Sequence, residues 1–314
     1  MARALVLLLA VVAVVAVAYG SVGRRGGDAT PTVVATQPAA AQGGQTPAGE
    51  TPVSQPAETP VTSSAPLTPE QLQQYKPNEL GQIPILEYHQ IGPNPEQFVR
   101  TPDQMRGDLQ WLYDHGFYVI NISEILADRI DVPLGKKPVV LTFDDSPAGQ
   151  FRLLRLDTGQ YAIDPNCAVG IVETFFAAHP DFGRGGLFVV LPNMVFDWTT
   201  VAAEPDQQGL DQMKVQWLVA NGYELSNHTR DHVSLGDLTN DQIMYQLAEA
   251  NIEINKLAPD APIRVVTLPF GIYPTGGDDT LLRGFDYNGQ HFEWEAALLV
   301  GANPTVVPLS TEYD

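Results

Sequence analysis

Six short, largely apolar runs punctuate the chain after residue 80: Ile83–His89, Val139–Phe143, Leu187–Leu191, Tyr223–Leu225, Arg264–Leu268 and Ala296–Val300. Their length and β-branched content predict strands. Between them, apolar residues recur at helical spacing. Thr101-Pro102-Asp103-Gln104 predicts a helix start, with Pro in the first turn and a capping-box Gln, followed by a buried stripe of Met105, Leu109 and Leu112. Asp164-Pro165 opens a second helix with Ala168, Ile171, Val172 and Phe175 on one face. A third carries Leu210, Met213, Trp217 and Leu218 before a stop at Asn221-Gly222. A fourth is capped by Thr239 with Gln242 and turns Ile243, Leu247, Ala250 and Ile254 inward. Ser123 is expected to cap a further short helix.

Strands alternating with helices imply an α/β fold of parallel strands joined by crossover helices. Residues 79–314 have the length of one (β/α) barrel, where about 250 residues is typical. The region before them differs. Ala4 to Val22 carries no charge and predicts a signal peptide or an N-terminal membrane anchor over residues 1–22. Ala16-Val17-Ala18 supplies a cleavage site before Tyr19, and both cleavage and retention place the remainder outside the cytoplasm. Residues 23–78 are dominated by Thr, Pro, Ala, Gln and Gly, which cannot bury enough apolar surface to order themselves and predict a disordered tether.

Three clusters carry candidate chemistry, and each follows a predicted strand. The first is Thr142-Phe143-Asp144-Asp145-Ser146-Pro147. Adjacent carboxylates at a strand end repel each other and lose water, which a cation or a proton must compensate. The second is His228-Thr229-Arg230-Asp231-His232, where spacing of four in a helical turn places both imidazoles on one side. Two histidines and one carboxylate with an open fourth position form a known catalytic zinc set, and Asp145 could supply the missing oxygen ligand. The third is Leu268-Pro269-Phe270-Gly271, a turn able to aim a backbone N–H into a cleft.

With these residues the chain resembles the polysaccharide deacetylases of the NodB homology type, carbohydrate esterase family 4. Their first motif, T-F-D-D-G-P, is matched at Thr142 to Pro147 with Ser146 in the glycine place; their second, H-[ST]-x-x-H, is matched in full at His228 to His232. The third, R-x-P-[FY]-G, is matched at Pro269, Phe270 and Gly271. Ile83-Pro84-Ile85-Leu86-Glu87-Tyr88-His89 is similar to the opening strand of many members. The resemblance implies a distorted (β/α) barrel in which Asp145, His228 and His232 bind a divalent metal, Zn²⁺ first and Co²⁺ or Ni²⁺ as alternatives. It implies Asp144 as the catalytic base, the Phe270 N–H as an oxyanion donor, and Pro269 and Gly271 beside the substrate.

Three departures accompany the resemblance. The third motif's Arg is Thr267, with Arg264 near but out of register; Ser146 replaces a glycine; and the family's closing L-x-H motif, which supplies the general acid, has no counterpart. The expectation is therefore a barrel lacking its last C-terminal elements, with His89 and His291 as the substitute histidines to examine. The implied activity is hydrolysis of N-acetyl, or secondarily O-acetyl, groups on an extracellular polysaccharide such as peptidoglycan, chitin or poly-N-acetylglucosamine. The alternative is a tethered glycan-binding module that keeps the metal without turnover.

Composition narrows the partners. A net charge of −20 argues against nucleic acid, which needs basic patches, and no protein partner is indicated. Membrane contact is expected only through an uncleaved N-terminal segment. The single cysteine, Cys167, excludes intrachain disulfides and is expected to be a small buried residue on a helix.

Overall fold

The computed structural model describes residues 33–34, 68–70, 81–199, 203–301 and 303–306. The predicted N-terminal segment lies outside them, as does most of the tether, in which Val33–Val34 pairs in parallel with Tyr161–Ala162. No helix among the described residues is long and apolar enough to cross a membrane.

Seven strands form one parallel sheet: β1 (Ile85–Tyr88), β2 (Phe117–Val119), β3 (Lys137–Phe143), β4 (Leu187–Val190), β5 (Glu224–Asn227), β6 (Val265–Thr267) and β7 (Ala296–Leu298). The hydrogen-bonded order is β7-β6-β5-β4-β3-β1, with β2 beside the start of β3. Helices α1 (Pro102–Asp114), α2 (Ile122–Leu126), α3 (Ala168–Ala178), α4 (Asp211–Ala220) and α5 (Asn240–Leu257) alternate with them. This is the curled parallel sheet of a distorted (β/α) barrel, as expected. Pro84 breaks the predicted first strand, and Gln82–Ile83 instead pairs antiparallel with Thr305–Val306. A cavity of about 690 Å³ runs between the sheet edges, lined by Ile85 on one side and Ala296, Ala297 and Leu298 on the other.

The alternation of side chains along the strands sorts the core into layers. Val139, Leu141 and Phe143 of β3 pack with Phe188, Val190 and Leu225 in the cluster that includes Met105 and Leu109 of α1. The intervening Val140 packs with Leu187, Val189 and Val265 in a second cluster. Buried Thr142, Ser226 and Thr267 share the parity of that second set, so the layer turns polar toward the C-terminal strand ends. The same parity carries on to Asp144 and His228.

Both capping boxes form as predicted, at Thr101 with Gln104 and at Thr239 with Gln242. The stripes of α1 and α5 are buried as read. Other details differ. Asn121, not Ser123, is the N-cap of α2, and Phe176 is buried in α3 where Phe175 is only half-buried. Lys214 is fully buried on α4, between the partly buried Met213 and the buried Val215, because its Nζ donates to the Phe196 carbonyl at 2.7 Å. Cys167 is buried, but as the N-cap of α3 rather than within it, its Sγ accepting from the Gly170 N–H. The hairpin Gly284–Tyr287/Gln290–Glu293, which the sequence reading missed, turns at Asn288-Gly289, both left-handed, a residue pair favoured in tight hairpin turns.

Candidate metal centre and active site

The first three motif clusters meet at the C-terminal ends of the strands, where barrels of this kind assemble their sites. Asp145 follows β3, and His228 and His232 follow β5; their ligand atoms lie within 4.8 Å of one another. Both Nε2 atoms are 3.1 Å from the same Asp145 oxygen, Oδ1. His228 Nδ1 sits 2.8 Å from the Thr267 carbonyl oxygen, so this nitrogen carries the proton and Nε2 presents its lone pair to the centre. A ring fixed by a carbonyl on its far nitrogen is the usual support of a metal-binding histidine. Two imidazoles and a carboxylate suit Zn²⁺, with one position open, so the residues present fit the expected ion.

The two histidines do not sit on a helical turn. Residues 228–232 form an irregular loop in which Thr229 and His232 are left-handed, at φ 62° and 50°. The loop is pinned from α5 and β5: Gln246 Oε1 accepts from the Arg230 and Asp231 N–H groups, and Asn227 Oδ1 accepts from the Thr229 N–H. Backbone strain is concentrated here, since Asp145, Ser146, Thr229, His232 and Phe270 are five of the eight non-glycine residues with positive φ among those described. Ser146, in the place of the motif's glycine, is left-handed at φ 50° and offsets that cost with its side chain. Its Oγ donates to the Val189 carbonyl at 3.2 Å and accepts from the Leu191 N–H at 3.1 Å.

The two aspartates occupy opposite electrostatic situations. Asp144 is buried, and its Oδ1 has no hydrogen-bond partner within the structure. Burial first, then the charges of Glu87 and Asp145, push its carboxyl well above the ordinary range. Burial acts on Asp145 in the same direction, but the bonds and charges of His228 and His232 outweigh it and hold that carboxyl well below the usual range.

Phe270 is left-handed at φ 61°, exposed, and its ring lies against His232, tilted by 59° with centroids 4.8 Å apart. The Gly271 and Ile272 N–H groups donate to the Leu268 and Pro269 carbonyls, which leaves the Phe270 N–H as the turn's spare donor. Pro269 is buried beneath it, and Gly271 lies so close to Val300 that a Cβ would fall 2.6 Å from its nitrogen. Thr267 offers no guanidinium to Asp144; its hydroxyl bonds Ser226 Oγ at 2.8 Å. Arg264 lies at the other end of β6, 3.4 Å from Glu295.

Of the two spare histidines, the structure brings one to the centre. His89, directly after β1, has Nε2 3.2 Å from Glu87 and 3.8 Å from Asp145 Oδ2. Gln150 ties it to the base, donating from one Nε2 to the carbonyls of both His89 and Asp144. His291 is on the exposed hairpin and pairs with Asp286.

A curled parallel sheet with an open carboxylate–histidine–histidine set at its mouth defines a (β/α)-barrel protein built around one metal position. Residues 131–280 match the family model described as polysaccharide deacetylase. The chitooligosaccharide deacetylase of Sinorhizobium fredii is 34% identical over 67 residues, covering 21% of this chain and 30% of that protein. A polysaccharide deacetylase from Bacillus cereus is similar in structure at 17% identity, over 64% of this chain and 54% of that one, with a TM-score of 0.44. IcaB from Ammonifex degensii is 18% identical over 64% of this chain and 79% of that one, with a TM-score of 0.45. The chain thus spans under a third of its curated relative and about half of the Bacillus cereus protein.

Proposed function

We propose that this protein is a divalent-metal-dependent hydrolase that removes N-acetyl groups from an amino-sugar polysaccharide outside the cytoplasm. The observation that carries the reading is the convergence of Asp145, His228 and His232 within 4.8 Å, next to a second, buried carboxylate that a site serving only to hold metal does not need. The family model matched by residues 131–280 and the name of the Sinorhizobium relative agree on deacetylation of a glycan. Chitin, peptidoglycan and poly-N-acetylglucosamine are the candidate polymers. The N-terminal apolar segment, read as an export signal or anchor, and the tether that follows it supply the localisation.

Bound Zn²⁺ would supply Lewis acidity and a water whose pKa is lowered to about 7. Asp145, His228 and His232 hold that position, and Thr267 holds His228. Asp144 accepts the proton of the attacking water. The Phe270 N–H donates to the oxyanion; a donor of this kind is worth about 3–4 kcal/mol in other hydrolases. An amine leaves only when protonated, and His89 is the side chain placed to deliver that proton. The missing L-x-H is thereby answered from the first strand, a contribution that is typically 10²- to 10⁴-fold.

The test is acetate release from N-acetylglucosamine oligomers by the full chain, stripped with chelator and reloaded with zinc, beside Asp144→Asn and His228→Ala. Zinc-dependent release that both variants abolish is expected. The Thr267 substitution favours a second reading, a binding module without turnover. Stoichiometric zinc binding with no release in the wild type would establish that reading instead.

A further inference from the structure

Gln150, in the loop that follows the two aspartates, is fully buried although its side chain is polar. Its Nε2 meets three main-chain carbonyls, donating to His89 at 2.8 Å, to Tyr88 at 3.4 Å and to Asp144. Tyr88 ends β1, and His89 and Asp144 are the first residues beyond β1 and β3. Main-chain bonding between these two strands reaches the Asp144 N–H, which donates to the Tyr88 carbonyl at 2.8 Å. Beyond that bond the Gln150 amide joins the two strand ends. It thereby holds the main chain of His89, placed to protonate the leaving amine, to that of Asp144, the base.

The clamp is itself anchored. The Gln150 N–H donates to the Pro147 carbonyl at 3.0 Å, and the Gly149 and Gln150 carbonyls accept from the Ala168 and Val169 N–H groups at 2.9 and 3.0 Å. Those donors open α3, where a helix has no internal partner for them, so the loop is bonded to the start of that helix. Gly149 also lies so close to the segment after His89 that a Cβ would fall 2.0 Å from the Ile91 carbonyl oxygen. Gln150 Oε1 has no partner within the structure, which costs stability that an apolar side chain of the same length would keep. The donor is what the position retains. The two strands depend on it unequally. β3 is flanked by β1 and β4, whereas β1 ends the hydrogen-bonded order and has the large cavity on its free side. His89 is therefore the looser partner, and losing the amide displaces its imidazole more than the Asp144 carboxylate.

We infer that Gln150 is a positioning residue for the reaction, whose amide keeps His89 where it can deliver a proton to the departing nitrogen. In that step the electron pair of the breaking C–N bond goes to nitrogen, which takes the proton from His89. The inference rests on the deacetylase reading and on the part given there to His89, and adds the side chain through which that part is maintained. A substrate whose leaving group departs as an anion, such as 4-nitrophenyl acetate, needs no such proton and separates this role from general support of the site.

The experiment measures kcat and KM for acetate release from the N-acetylglucosamine hexamer and for hydrolysis of 4-nitrophenyl acetate. The zinc-loaded full chain is compared as wild type, Gln150→Met, His89→Ala and the double variant. Both substrates are read on one preparation, so a reduced folded fraction cancels from their ratio. The expected result is that Gln150→Met lowers kcat on the hexamer about 100-fold, with KM within about twofold, and slows the ester less than about threefold. In the His89→Ala background it should add less than about threefold, because the two residues act as one unit. Equal losses on the two substrates would overturn the inference, since the amide would then support the whole site. A loss that multiplies in the double variant, or an unchanged hexamer rate in Gln150→Met, would overturn it as well. Each of these results leaves the deacetylase reading standing. A wild type that releases no acetate from the hexamer would remove that reading and this inference together.

Discussion

Thr267 grips His228 through its main chain: the carbonyl oxygen lies 2.8 Å from Nδ1, fixing the tautomer whose Nε2 faces Asp145. The bond comes from the backbone, so it survives the replacement of the motif's Arg by Thr. His228→Ala removes one of three ligands from a preformed site and is expected to weaken zinc binding at least 100-fold, while circular dichroism is unchanged. Competition with a chromophoric chelator measures it. Binding within a few-fold of wild type would mean that the ion is held elsewhere.

Asp144 is expected to be dispensable for the ion and indispensable for turnover. Asp144→Asn should keep zinc and lose 10²- to 10⁴-fold in kcat. Its carboxyl is raised by burial and by Glu87, and a base must be ionised to work, so the rate falls as pH drops through that raised value. Glu87→Gln removes one of the negative charges that raise it. The acidic limb of the kcat/KM profile should therefore move to lower pH. A move to higher pH, or none, would place the proton elsewhere.

The same burial has a stability consequence. A carboxyl raised in the folded state favours folding only while protonated, and its contribution is lost as pH rises from the unfolded value of about 4 through the folded one. In chelator at pH 7, Asp144→Asn should melt higher than the wild type, and the gap should close toward pH 4. Equal melting temperatures at both pH values would show that the carboxyl is solvated.

How far these features were legible beforehand depended on where their causes lie in the chain. Val139–Phe143 was readable because a strand buried on both faces is a continuous apolar run, and Asp144 stood out by ending it. The meeting of Asp145 with His228 and His232 was expected from residue type together with the motif resemblance. Its geometry was not: the left-handed Thr229 and His232 are held by Gln246, which is remote in sequence. The short β2, Phe117–Val119, gave no periodicity over three residues. His89 looked like a strand end, and only the pairing of β1 with β3 brings it to Asp145.

Ser146 offers a test of how strain is compensated. Ser146→Ala keeps the left-handed strain and loses both bonds, leaving the buried Leu191 N–H without its acceptor. It should cost about 1–3 kcal/mol in urea melts. Ser146→Gly loses the same bonds but relieves the backbone, which recovers about 1–2 kcal/mol. Glycine should therefore be the milder change, and the reverse order would show that the turn is not strained.

Lys214 gives the clearest pH signature away from the centre. Its ammonium is fully buried against the Phe196 carbonyl, in a segment whose Phe196 N–H donates to Ser146 and whose Trp198 indole donates to the Asp145 carbonyl. Burial lowers its pKa to about 7, against about 10.5 for a free lysine. Between those values the unfolded chain binds a proton that the folded one has released, so stability rises with pH across the window. The slope is at most about 1.4 kcal/mol per pH unit. Lys214→Met removes the titrating group and should flatten the difference between urea-derived stabilities at pH 7 and pH 10. If wild type and variant change in parallel over that range, the lysine stays charged in the fold and its bond to Phe196 is that of an ammonium throughout.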